Sequence, residues 1–239
     1  MYLNLSKKKR QFLNRLQGEL VKRSIVDVLR NGIKVYPVDL IMFYLTPTEN
    51  NKKAREMFRR NIFSVTRQLR YSQDAGKLAL DLCLFINGLP VITFELKNQL
   101  TKQNVDDAVQ QYKDDRDPRE MLFQFKRCMV HLAVDDARIK FCTRLAGKDS
   151  WFLPFDKGYN DGAGNPPNPI GLMTDYLWKD IFTKEKLTLI IENYAQVVIE
   201  VDEDTKKKKR SKFFHGIIRW MWLQSFLVMC VKMVSGINT

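Results

Sequence analysis

LDLCLFINGLPVITFELK, residues 80–97, consists of two apolar, strand-like runs joined by Asn87-Gly88. The first run carries Asp81 and the second ends in Glu95-Leu96-Lys97. A carboxylate inside such an apolar run is costly to bury unless a cation meets it. On an alternating strand Glu95 and Lys97 point to one side, and Ile92, Phe94 and Leu96 to the other. Two acids and a lysine meeting at a sheet edge are the grouping that holds Mg²⁺ and a phosphodiester. The leading reading is a metal-dependent nuclease.

Register decides whether that grouping can form. A two-residue Asn87-Gly88 turn pairs Ile86 with Leu89 and sets Asp81 opposite Phe94, so Asp81 and Glu95 fall on opposite faces. A three-residue turn with a left-handed Gly88 and a bulge pairs Phe85 with Leu89 and Asp81 with Thr93, which makes Glu95 the diagonal same-face neighbour. The expectation is that bulged turn or an equivalent offset. An unbroken two-residue hairpin would contradict the site.

Mg²⁺ takes hard oxygen ligands and keeps several waters, so Asp81, Glu95 and the backbone carbonyl of Leu96 suffice for it. A cation there polarises the phosphoryl oxygen and lowers the pKa of a water. Lys97, protonated beside two carboxylates, positions that water or stabilises the pentacovalent centre rather than acting as a strong base. Asp…Glu-x-Lys is nevertheless a short pattern that recurs by chance. A surface hairpin with a solvated Glu/Lys pair is the alternative.

The chain of 239 residues is long enough for one sizeable core. Its formal charge of +13 favours a polyanionic partner, foremost nucleic acid, and +8 remains without the five charges of Lys206–Arg210. Cys83, Cys128, Cys142 and Cys230 form no C-x-x-C pair, and His131 and His215 are the only histidines, which argues against zinc and against a histidine general base. Reduced thiols and the lack of a signal-peptide pattern at Met1 fit a cytoplasmic protein.

Around the hairpin, the apolar spacing predicts a helix over Gln11–Leu29 stopped at Gly32, a weak strand over Tyr36–Leu45 and a charged helix over Asn50–Asn61. Phe63–Tyr71 is basic, with aromatics at its ends. Thr101 is a candidate cap for a helix with Val105, Ala108, Val109 and Tyr112 on one face. Met129–Val134 and Ile139–Thr143 read as strands, 156–171 as a Gly/Asn/Pro loop, and Tyr176–Phe182 and Leu187–Val201 as mostly helical. Phe213–Val231 is apolar but broken by His215 and Arg219, which makes it a poor membrane span.

Longer strings carry more weight than the motif. SVTRQLRYS (64–72), LDLCLFINGLPVITFELKNQLTKQNVDDAVQQYKDDRDPRE (80–120), VHLAVDD (130–136) and FLPFDKGYNDGAGNPPNP (152–169) resemble the N-terminal region of type I restriction enzyme R subunits (HsdR). The resemblance runs from about Gln11 to about Val201. It implies an α/β fold, a restriction-endonuclease-like PD-(D/E)xK core whose mixed central sheet is flanked by helices. It puts the acidic pair and lysine on Asp81, Glu95 and Lys97. It also implies Mg²⁺-dependent cleavage of double-stranded DNA in a complex with methyltransferase and specificity subunits, after translocation by an ATP-driven helicase domain absent here.

Related nucleases carry Gln-x-x-x-Tyr after the lysine. Gln111 matches the glutamine, Asp115 replaces the tyrosine, and Tyr112 is expected to pack in the core. Gln111, Arg67 and Arg70 are candidate DNA or accessory contacts, with solvated arginines as the alternative. A phosphate-binding role for the 156–171 loop has little support, because no glycine-lysine helix start follows it.

The expected organisation is a nuclease domain over 1–202 lacking the family's first segment, a basic linker over 203–212 and an apolar tail over 213–239. The codons of residues 213–223, read from each third base, permit the family's FPRYHQ string. An out-of-frame tail is therefore our hypothesis, and a nucleotide sequence that forbids that reading would remove it. Two other readings stay open: a catalytically silent DNA-binding or subunit-docking remnant, and a stand-alone resolvase-like or repair nuclease.

Overall fold

The computed structural model describes residues 2–72, 78–160, 162–201 and 208–213. Most of the apolar tail lies outside them. The single helix expected over Gln11–Leu29 is two: α1, Tyr2–Lys22, and α2, Ile25–Asn31. Ser24 divides them. It is extended, and its hydroxyl accepts from the Asp27 amide at 3.1 Å, satisfying a free N–H of the new helix. Gly32 ends α2 with φ +62°, and a Cβ there would lie 2.2 Å from the Leu40 carbonyl.

The strand expected over Tyr36–Leu45 is instead a small hairpin of β1, Ile33–Val35, and β2, Val38–Leu40, turning at Tyr36-Pro37. α3, Lys52–Arg59, follows the charged pattern and is capped by Asn51. β3, Phe63–Arg70, starts the main sheet and is exposed along most of its length, as suits an edge strand. β4, Ala79–Ile86, and β5, Leu89–Leu96, form the central hairpin.

From β5 the chain passes through a short 3-10 turn at Gln99–Thr101 into α4, Val105–Asp114. Asn104, not Thr101, caps α4, in a reciprocal capping box with Asp107. β6, Val130–Val134, then pairs parallel with β5, with α4 in the crossover as a parallel pair requires. β7, Ile139–Cys142, and β8, Leu153–Pro154, complete a mixed sheet ordered β3-β4-β5-β6-β7-β8, parallel only between β5 and β6.

Both faces of the sheet are covered, and every residue of β6 is buried. On one face Ile92 and Phe94 pack with α2, with a π-helical segment at Leu177–Ile181, and with α5, Lys184–Leu189. On the other face α4 packs Val105, Ala108 and Tyr112 against β5, β6 and β7. Leu187–Val201, read as helical, is α5 followed by a π-helical turn at Ile190–Tyr194 and then β9, Val197–Val201. β10, Lys208–Phe213, pairs antiparallel with β9, so the stretch expected as a linker includes a strand. The protein is α/β, with helices on both sides of a six-stranded mixed sheet.

Candidate active site

Asn87 and Gly88 both adopt positive φ, +50° and +81°, as a two-residue type I′ turn requires. Ile86 pairs with Leu89 and Phe85 with Pro90, so the three-residue turn expected from the sequence is not what forms. The ladder then shifts by one residue. Leu84 faces Ile92, Cys83 faces Thr93 and Leu82 faces Phe94, leaving Val91 as an extra residue. Pro90 cannot donate to a ladder, and prolines within sheets collect at such bulges. The offset therefore exists, but it lies past the turn and runs the opposite way.

Leu82↔Phe94 is the last pair of this ladder. Beyond it the strands are held by side chains. The Leu96 amide, with no backbone partner on β4, donates to Asp81 Oδ2 at 2.8 Å. Asp81 also marks a break in the alternation of β4: Leu82 and Leu84 belong to the larger core, whereas Leu80 packs with Tyr112 and Phe123 near α4. On β3, Gln68 lies between Arg67, which pairs with Leu82, and Leu69, which pairs with Leu80. Its φ is +49°, and its Nε2 donates to Asp81 Oδ1 at 3.1 Å. Irregularities on two adjacent strands thus meet at the half-buried Asp81.

Glu95 is fully buried. Its Oε1 accepts from Arg116 Nε at 2.7 Å, and its Oε2 is buried beside the Asp81 carboxylate with no hydrogen-bond donor among the described residues. Burial pushes the Glu95 carboxyl up to about 7. The Arg116 guanidinium opposes that rise, and the neighbouring Asp81 carboxylate adds to it. The counter-cation expected for Asp81 is therefore found on Glu95, the deeper acid.

Lys97 is half-buried, and its Nζ donates to Gln111 Oε1 on α4 at 2.7 Å. Among the described residues it forms no ion pair with either carboxylate. Its main-chain N–H donates to the Val134 carbonyl of β6, so β5 is still tied to its parallel neighbour here. Arg67 and Arg70 are exposed on β3. Tyr112 packs as expected, and its hydroxyl lies 2.9 Å from Thr93 Oγ1. Thr93 also meets His131 Nδ1 at 2.7 Å, and burial lowers that imidazole to about 3, so it stays neutral.

Sequence reasoning missed Arg116, Gln68 and the Thr93–Tyr112–His131 network. A signal for Arg116 was present, because a glutamate in VITFEL needs a cation as much as an aspartate in LDLCLFI does. Nothing in the sequence marks Gln68.

Among the described residues no group of three or more His, Cys, Asp and Glu side chains gathers as a metal cluster. Two carboxylates with one orphaned buried oxygen suit a hard cation that takes its remaining ligands from water, main-chain carbonyls or phosphate. They do not suit zinc, and the described cysteines Cys83, Cys128 and Cys142 are free and buried. No helix among the described residues is long and apolar enough to cross a membrane.

The type I restriction enzyme HindI endonuclease subunit of Haemophilus influenzae is 30% identical over 151 residues, covering 58% of this chain and 13% of that subunit. The chain therefore spans a small part of the relative it matches. No solved structure matches. The family model of the type I restriction enzyme R protein N terminus matches residues 4–150, and the chain belongs to that family.

Proposed function

We propose that residues 1–202 are the nuclease domain of a type I restriction enzyme R subunit, hydrolysing phosphodiester bonds of double-stranded DNA with Mg²⁺ on a PD-(D/E)xK core. The observation that carries this reading is the orphaned, fully buried Glu95 Oε2 next to Asp81, at the point where the β4–β5 ladder ends. An acceptor without a donor in a dry site is costly, and a cation there relieves the cost.

Asp81, Glu95 and the Leu96 carbonyl would hold the ion. When bound, Mg²⁺ supplies a Lewis acid for the phosphoryl group and its leaving oxygen. Lys97 immediately follows β5, two residues beyond Glu95. In the resting arrangement Gln111 holds its ammonium, and in a DNA complex that ammonium would move to a phosphate oxygen. Arg67 and Arg70, exposed on the strand that also carries Gln68, would meet the DNA backbone. His131 is too deeply buried to relay protons.

In the complete enzyme, methyltransferase and specificity subunits would choose the DNA, and the helicase domain would bind ATP and drive translocation before cleavage in the cytoplasm. A silent DNA-binding or subunit-docking remnant remains the second reading. It is favoured by Lys97 being engaged with Gln111 and not with the acids. Nicking of supercoiled plasmid in Mg²⁺ or Mn²⁺ separates the two. Cleavage that disappears in Asp81→Ala is the expected result, and equal product from wild type and variant, or none from either, favours the remnant. Dependence on a methyltransferase complex would distinguish this enzyme from a stand-alone nuclease.

A further inference from the structure

Arg116 lies just beyond the end of α4 and is 2% exposed; among the described residues the only other buried arginine is Arg127, at 7%. Its guanidinium donates in three directions: Nε to Glu95 Oε1 at 2.7 Å, one terminal nitrogen to the Tyr71 hydroxyl at 3.1 Å, and the other to the Ala79 carbonyl at 2.9 Å. It also lies 5.6 Å from the centre of the Tyr71 ring. Glu95 is on β5, Ala79 opens β4 two residues before Asp81, and Tyr71 directly follows β3. One planar fork therefore joins the three strands at the level where the β4–β5 ladder has stopped.

A buried ion pair is weak evidence of stabilisation, since an apolar pair of similar volume often does as well. What an apolar pair cannot do is take one carboxylate oxygen and leave the other free. We propose that Arg116 is a positioning residue: it fixes the gap between the strands bearing Asp81 and Glu95, and it fixes the Glu95 carboxylate by Oε1 so that Oε2 is presented to a divalent cation. The inference rests on the reading that Asp81 and Glu95 hold such a cation. Lysine keeps the charge but offers a compact ammonium in place of a fork, so it cannot reproduce three diverging contacts at once.

The test is Mn²⁺ binding to the full chain, followed by the electron paramagnetic resonance signal of the free ion, with thermal unfolding measured on the same samples. Wild type is expected to bind, and Asp81→Ala to lose binding. Arg116→Lys is expected to bind on the order of 10–100-fold more weakly, the usual effect of removing a group that orients a metal ligand. Wild-type affinity in a folded Arg116→Lys protein overturns the proposal. Should that variant not fold, Tyr71→Phe carries the test, since it removes one anchor of the fork and is expected to weaken binding in the same direction. Unchanged affinity in Tyr71→Phe then overturns it. If wild type and Asp81→Ala bind equally or not at all, the underlying cation site fails instead, and the role of Arg116 falls with it.

Discussion

Replacing Arg116 by Met isolates the energetics of the buried pair. Both side chains are essentially inaccessible, at 1% and 0% exposure, and the substitution leaves Glu95 with no counter-cation. Breaking a buried pair from one side costs about 3–5 kcal/mol. For a chain of this size that is a fall of about 6–20 °C in melting temperature. Burial already raises Glu95 to about 7 against the opposition of Arg116, so without that opposition the carboxyl rises further. A carboxyl whose folded pKa lies above its unfolded value favours the folded state below the unfolded pKa and loses that advantage as pH rises through the folded value. Up to about pH 7 wild type and Arg116→Met lose this advantage at the same slope, and above it wild type levels off. The defect of Arg116→Met is thus expected to be larger at pH 8 than at pH 5, growing only above about pH 7, by about 1.4 kcal/mol per pH unit. Glu95→Leu combined with Arg116→Met removes both charges, and its loss is expected to be smaller than that of either single variant. Urea unfolding of the four proteins at both pH values measures all three quantities. A double-variant loss equal to the sum of the singles would show that Arg116 and Glu95 do not act as a pair.

His131, fully buried and lowered to about 3, is neutral in the folded protein but protonates near 6.5 when unfolded. Its contribution is complete above pH 6.5 and is lost as pH falls toward the folded value. Between pH 7 and pH 5 wild type should therefore lose about 2 kcal/mol more than His131→Gln in urea titrations; parallel profiles would contradict the assignment. Thr93→Val removes the hydroxyl shared by Tyr112 and His131 and should cost about 1–3 kcal/mol at nearly constant volume. A neutral result in thermal unfolding would mean that the network adds nothing. Lys97→Ala should lower the rate of plasmid nicking while leaving Mn²⁺ affinity within about threefold, because its ammonium contacts Gln111 and not the carboxylates. Loss of ion binding would make Lys97 part of the cation site.

The sheet and its flanking helices were legible because the hairpin carries both a period of two and an Asn-Gly turn, signals that depend only on neighbours in sequence. Local chemistry also explains several misreadings. Ser24 reads as a helix cap, but the apolar spacing continues across it from Leu20 to Ile25 and hides the break. Val197–Val201 is a β-branched run that the helical pattern before it obscured. Pro90 foretells a ladder irregularity, and with it the bulge at Val91 that changes the hairpin register.

The candidate site is harder to read because its decisive partners are distant. Arg116 stands 21 residues from Glu95 inside a charged run that looks solvated, and only the crossover through α4 turns it beneath β5. The π-helical segments and the left-handed Gln68 have no periodic signature at all. They follow from how the strands pack.

Crystals soaked in Mn²⁺ and measured at the manganese absorption edge would locate the ion itself. The expected map has an anomalous peak bonded to Glu95 Oε2 and an Asp81 carboxylate oxygen, with Arg116 still on Oε1. A map with no peak between those two acids, from crystals that bind Mn²⁺ elsewhere or not at all, would contradict the cation site on which the nuclease assignment depends.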